Sequence, residues 1–127
     1  MQDSSRPLSP HLQVYRLPIT ALLSIMHRMT GVVLSLGLVL LVVVLATAAW
    51  HRETYEVLTT LLSHWFGQMF LIAWIAALYL HLCNGIRHLF WDAGMGFDLR
   101  RTNQTAYLTV AVTAILTAAT WLFAYLL

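Results

Sequence analysis

Residues 65–92 read WFGQMFLIAWIAALYLHLCNGIRHLFWD, and the fold turns on where His81 is placed. If His81 closes the apolar run, residues 65–80 are too few to cross a bilayer, which takes roughly 20 residues for about 30 Å of hydrocarbon. If a histidine is admitted inside the membrane, the run extends to Ile86 and spans it. Working outward, residues 29–50 and 102–127 also lack Asp, Glu, Lys, Arg and His. Water is absent at that depth, so each run must satisfy its own backbone as a helix, and a barrel would need many more strands. The expected fold is all-α: an integral membrane protein with three transmembrane helices.

Composition agrees. Of 127 residues, 60% are hydrophobic and 9% charged, against about a quarter charged in soluble domains. All seven basic residues are arginines and sit at the edges of the apolar runs. They act as topology signals and give no nucleic-acid footprint. One cysteine excludes an internal disulfide and a multi-cysteine metal site. Ala46-Thr47-Ala48 resembles a signal-peptidase site, but the long proline-punctuated stretch before the first run argues against a cleaved signal.

Residues 1–19 are expected to form an extended arm that docks on a soluble partner, because Pro7, Pro10 and Pro18 interrupt any helix. Residues 20–127 form the three-helix anchor domain, with Thr20 a candidate cap. Residues 51–64 read as a short loop with His51 and His64 solvated at the membrane edge. Two glycines, Gly94 and Gly96, break the second helix, and the third is expected from Thr102. Thr109, Thr113, Thr117 and Thr120 recur at helical spacing as a small, weakly polar packing seam.

Within 65–92, His81, Gly85, His88 and Asp92 share one helical face, two imidazoles flanking a gap against which a flat group could lie. Ionisable groups inside spans are functional candidates, and axial imidazole commonly holds haem iron. His81 and His88 are ~10 Å apart along the axis, whereas trans axial nitrogens stand about 4 Å apart with metal–imidazole bonds near 2 Å. Only one can bind a given iron. The deeper His81 is the expected axial ligand, with the second ligand from another chain, which makes the three spans half of a haem-binding helical bundle, or, within this chain, from His27. His27, Arg28 and His88 suit haem propionates.

The first helix carries Ser24, His27, Arg28 and Gly31 within one sector. Arg28 lies ~12 Å into its helix and falls between His88 and His81 in depth. Its insertion cost of about 2.5–3.5 kcal/mol is offset by the Leu/Val run after it. Arg28 either anchors at the interface or faces an anionic or quinone oxygen. Ser24 either bonds back to its own helix or, with Arg28, hydrogen-bonds a quinone carbonyl. Arginine counts place the N-terminus and the second connection in the cytoplasm or matrix.

These residues resemble a known family. Arg6-Pro7-Leu8-Ser9-Pro10-His11-Leu12, Ser24-Ile25-Met26-His27-Arg28-Met29-Thr30-Gly31, and His81 followed by Gly85-Ile86-Arg87-His88-Leu89 and Asp92 are similar to the cytochrome b556 subunits of succinate dehydrogenase, one of two membrane anchors of respiratory complex II. The resemblance implies haem b shared with a second small membrane subunit, ubiquinone as substrate, and iron–sulfur and flavoprotein partners that deliver electrons from succinate. It implies His81 as haem ligand and Ser24 and Arg28 as quinone-site residues; the expected location is a bacterial inner membrane with the N-terminus cytoplasmic, the mitochondrial inner membrane being the less favoured alternative. Cys83 and Asn84 are expected to carry no role. Other readings are the anchor of a fumarate reductase using a low-potential quinol, and a non-redox three-span assembly protein.

Overall fold

A computed structural model describes residues 16–127, so the expected docking arm lies almost wholly outside the described residues. Four helices follow in order: α1 (Ile19–Trp50), α2 (Arg52–Ser63), α3 (Trp65–Asp92) and α4 (Leu99–Leu126). Three of them, α1, α3 and α4, are long and apolar enough to cross a membrane. His81 lies well inside α3, as the longer reading of residues 65–92 requires.

Helix α1 begins earlier than a Thr20 cap would allow. Pro18 is extended (φ −64°, ψ 152°), and its carbonyl accepts from the amides of Ala21 and Leu22 at 3.0 and 3.1 Å. The first turn is therefore anchored on Pro18, and Thr20 is already inside the helix. The stretch 51–64 is not a loop. It is a 12-residue amphipathic helix between two single-residue breaks, His51 and His64. Leu58 and Leu62 are half-buried, while Arg52 and Glu56 pair at 2.9 Å in solvent, where such a pair adds little. The helix folds back on α3 at Gly67, where any side chain would meet the Leu61 and Leu62 backbone.

The α3–α4 connection turns as the glycines suggested. Gly94 and Gly96 take φ of 78° and 83°. The Gly94 amide donates to Trp91 O (2.8 Å) and the Met95 amide to Phe90 O (2.9 Å), the paired bonds of a glycine-terminated helix end. Helix α4 starts at Leu99, before Thr102, because Asp98 caps it and accepts from the Arg101 amide at 3.3 Å.

Helix α3 packs on both α1 and α4, and α1 also touches α4. The burial pattern is inverted relative to a soluble bundle. Thr30, Thr47, Asn84, Arg87 and Thr109 are buried, and only Leu23 and Ala106 among the described apolar residues are. Large aliphatics such as Val32, Leu36, Val39 and Leu45 face outward. In lipid, burying leucine against a neighbour gains little over burying it in acyl chains. Small and polar residues therefore make the helix contacts. The threonine seam behaves this way. Thr109 is buried, Thr113 and Thr117 bond back one turn at 2.8 Å, and Thr120 Oγ1 meets Tyr79 Oη at 2.7 Å between α4 and α3. Gly37 on α1 receives the Trp74 indole of α3, which occupies the space a side chain would need.

Candidate functional site

The antiparallel pairing of α1 and α3 brings three imidazoles together. The His81 ring lies in a cradle built by one turn of α1. Its Nδ1 is 3.1 Å from the His27 carbonyl and 3.2 Å from Thr30 Oγ1. Thr30 donates its own hydroxyl to the Met26 carbonyl at 2.8 Å and so presents lone pairs to the ring. Both neighbours of Nδ1 are then acceptors. Nδ1 carries the proton, and the Nε2 lone pair is left free. Gly31 allows this approach, since a Cβ there would stand 3.2 Å from His81 Cε1.

His27 stacks on His81 with centroids 4.0 Å apart and planes 11° from parallel. Imidazole lone pairs lie in the ring plane, so face-stacked rings cannot clasp one metal between their nitrogens. The arrangement rules out His27 as the partner ligand to iron held by His81. His27 also borders Gly85, where an added Cβ would lie 3.7 Å from His27 Cε1, an ordinary contact. The α1 imidazole therefore lines one side of the gap in the α3 stripe, and Gly85 itself stays half-buried. His88 lies next in the row, 5.2 Å from His27 at 53°, with its ring edge-on to Trp91 at 5.0 Å. Asp92 is exposed at the end of α3. His27 Nδ1 is buried and finds no partner among the described residues, a polar atom still owed one.

Open space adjoins His81 on the midplane side. A groove of about 630 Å³ between α1 and α3 is walled by Gly31, Leu34, Ser35, Trp74, Leu78 and His81. It is apolar apart from Ser35 and His81 and lies open to the outside of the three helices. Among the described residues no three His, Cys, Asp or Glu side chains converge on a metal position. An iron reached by His81 would have to arrive with most of its own ligands, as a porphyrin-bound iron does. The donor chemistry of His81 and the apolar groove beside it fit a haem.

Ser24 and Arg28 stand next to the histidine row and apart from it. Arg28 is exposed. Its Nε lies 3.4 Å from Ser24 O and its Nη2 3.5 Å from Ser24 Oγ, long contacts within one helix turn. At 100° per residue Arg28 cannot share the direction of His27, which faces α3. The pair offers a guanidinium and a hydroxyl on the outer surface of α1, with spare donors.

The most buried charged and amide side chains are two to which the sequence alone assigns no site role. Asn84, expected to have no role, is fully buried, and Arg87, counted only as a topology signal, is 5% exposed. Arg87 donates Nη1 to Asn84 Oδ1 (3.3 Å), Nε to Thr105 Oγ1 (3.1 Å) and Nη2 to the Thr102 carbonyl (3.0 Å). Its guanidinium lies 4.1 Å over the Trp91 ring. Asn84 Nδ2 meets the Leu23 carbonyl at 3.3 Å and His88 Nε2 at 3.5 Å. The available signal was the spacing: Asn84 is one turn from His88, and Arg87 one turn from Trp91, on a helix already read as intramembrane.

The family model described as "Succinate dehydrogenase/Fumarate reductase transmembrane subunit" matches residues 2–120. The protein named succinate dehydrogenase cytochrome b556 subunit in Rickettsia felis is 38% identical over 118 residues, 93% of this chain and 92% of its own length. Its namesake in Paracoccus denitrificans is 39% identical over 116 residues, 91% of this chain and 89% of its own length. The succinate dehydrogenase cytochrome b560 subunit of Reclinomonas americana is 35% identical over 123 residues, covering 93% and 85%.

Proposed function

Because the chain belongs to the succinate dehydrogenase/fumarate reductase transmembrane subunit family, we propose that it is a cytochrome b membrane anchor of succinate:quinone oxidoreductase that helps bind haem b and ubiquinone. The observation that carries this is the His81 cradle. The His27 carbonyl and Thr30 hold the proton on Nδ1 and leave Nε2 as an iron ligand beside an apolar groove. The relatives' names favour succinate dehydrogenase over the fumarate reductase and non-redox readings.

His81 would hold the haem iron from this chain, and another small membrane subunit would supply a further ligand. Bound there, haem b supplies a one-electron carrier. The protein's part is to fix the ligand's tautomer and to exclude water from the groove. His27 and His88, in the row beside His81, form the polar end of the site and would meet the propionates, while Arg28, expected with them, lies on the adjoining outer face of α1 and is left to the quinone. At the neighbouring surface, Ser24 Oγ and the Arg28 guanidinium hydrogen-bond a quinone carbonyl and stabilise the negative charge that develops on it during reduction. Electrons arrive from an iron–sulfur subunit served by a flavoprotein. In this reading the chain works only within that complex, in the bacterial inner membrane, with its N-terminus and its arginine-rich α3–α4 connection on the cytoplasmic side. The outward aliphatics of α1, α3 and α4 meet lipid and the second anchor.

The test is His81→Ala in the assembled complex. The reduced-minus-oxidised haem b spectrum is expected to disappear or change strongly while the flavoprotein still oxidises succinate. An unaltered reduced spectrum overturns the ligand assignment.

A further inference from the structure

Below the histidine row, one set of hydrogen bonds joins all three membrane helices. It runs from α4 (the Thr102 carbonyl and Thr105 Oγ1) through Arg87 and Asn84 of α3 to the Leu23 carbonyl of α1. Its polarity is dictated by chemistry. A guanidinium has donors only, so it must face Asn84 Oδ1, which turns Nδ2 the other way. The Leu23 carbonyl can only accept, in agreement with that orientation. The second Nδ2 hydrogen is then left for His88 Nε2, 3.5 Å away. The contact is long, but a donor aimed at Nε2 favours that nitrogen as the acceptor, with the proton of the neutral His88 ring on Nδ1.

Two consequences meet at the proposed site. The Leu23 carbonyl belongs to the residue before Ser24, so Asn84 sets the height at which the Ser24–Arg28 turn stands against α3. The same amide chooses which His88 nitrogen can donate to an acceptor outside this chain. We propose that Arg87 and Asn84 are positioning residues that act as a one-way donor relay, Arg87 to Asn84 to Leu23 O and His88, fixing the Ser24–Arg28 turn for quinone and the His88 tautomer for the haem edge. The relay rests on the reading of the haem and quinone sites given above. Burial supports it. Asn84 is fully enclosed and Arg87 nearly so. The guanidinium is bonded to neutral acceptors and stacked on Trp91, an arrangement in which each acceptor holds the plane of the fork. Placing a cation at this depth is costly, and a helix pair needing only adhesion could use a small-residue seam such as the threonines of α4.

Asn84→Asp separates relay from scaffold. It keeps the side-chain size and gives Arg87 a stronger acceptor, but it removes the Nδ2 donor. In the whole purified complex, the ratio of haem to flavin and the oxidation of succinate by an artificial acceptor are expected to match the unmodified complex. The KM for a short-chain ubiquinone should rise about three- to tenfold with a smaller change in kcat. The haem midpoint potential should shift by up to 59 mV, the equivalent of a tenfold change in a one-electron equilibrium. Both values unmoved overturns the relay. If Asn84→Asp yields no complex, Arg87→Lys takes the same two measurements, because lysine keeps the charge yet cannot bridge Asn84 and α4 together. Unchanged values there also overturn it. The unmodified complex serves as the other control. If it lacks haem or quinone reductase activity, the site reading itself falls, and the relay with it. If it has both while the variants are silent, only the relay falls.

Discussion

Gly31→Ala and Gly31→Val test whether the His81 cradle is a ligand-setting device. A Cβ at Gly31 would stand 3.2 Å from His81 Cε1 and 3.7 Å from Nδ1. The first distance is a few tenths of an ångström inside ordinary carbon contact, about 3.5–4.0 Å. The ring is hemmed in by His27, stacked at 4.0 Å, and by the Nδ1 bonds of 3.1 and 3.2 Å. Relief by a few tenths stretches those bonds toward 3.5 Å, where they weaken steeply. Losing one costs about 0.5–1.5 kcal/mol. Alanine gains roughly 0.8–1.0 kcal/mol over glycine in a helix interior. The two terms nearly cancel, so Gly31→Ala should assemble with near-normal stability while displacing the ligand ring. Valine adds two more carbons to the same space, and overpacking of about 1–3 kcal/mol then dominates. The assay is the low-temperature reduced haem spectrum with haem-to-flavin ratio in the purified complex. Alanine should retain haem with a shifted or broadened band, and valine should lose most of it. A valine variant with full haem content and an unaltered band would refute the cradle.

Other positions give independent checks. Gly37→Ala puts a methyl where the Trp74 indole lies. It should lower the thermal stability of the haem-bearing complex by about 1–3 kcal/mol, and adding Trp74→Leu should recover most of the loss. Tyr79→Phe removes the 2.7 Å bond to Thr120 between α3 and α4. Bonds of this kind average about 0.6 kcal/mol in membranes, so a small fall in unfolding midpoint with unchanged quinone kinetics is expected. Arg28→Ala should reduce ubiquinone reduction much more than succinate oxidation by an artificial acceptor. Equal loss in both assays would point to an assembly defect instead.

Particular residues mark how far the sequence could be read. The α3 span was legible because only a helix that admits His81 is long enough to cross. The turn at Gly94 and Gly96 was legible because a left-handed backbone favours glycine. The 51–64 segment was not. Its apolar positions suit a short amphipathic helix, but a 12-residue helix is marginal alone, and it forms here where it folds back over Gly67 on α3. What borders Gly85 was not legible either, because His27 belongs to the other helix.

The sequence by itself determined three spans, the identity of the chemistry-bearing residues and their depths, because length, hydropathy and 1.5 Å per residue are properties of single helices. Only the tertiary structure decided which residues of different helices meet. It put His27 against His81, turned Arg28 outward, and buried Asn84 and Arg87 at the junction of α1, α3 and α4. The physical reason is that helix rotation in lipid is not set by burying an apolar stripe, since an aliphatic side chain gains little by packing on a neighbour over facing acyl chains. It is set by the few close contacts and hydrogen bonds that neighbouring helices can complete only together.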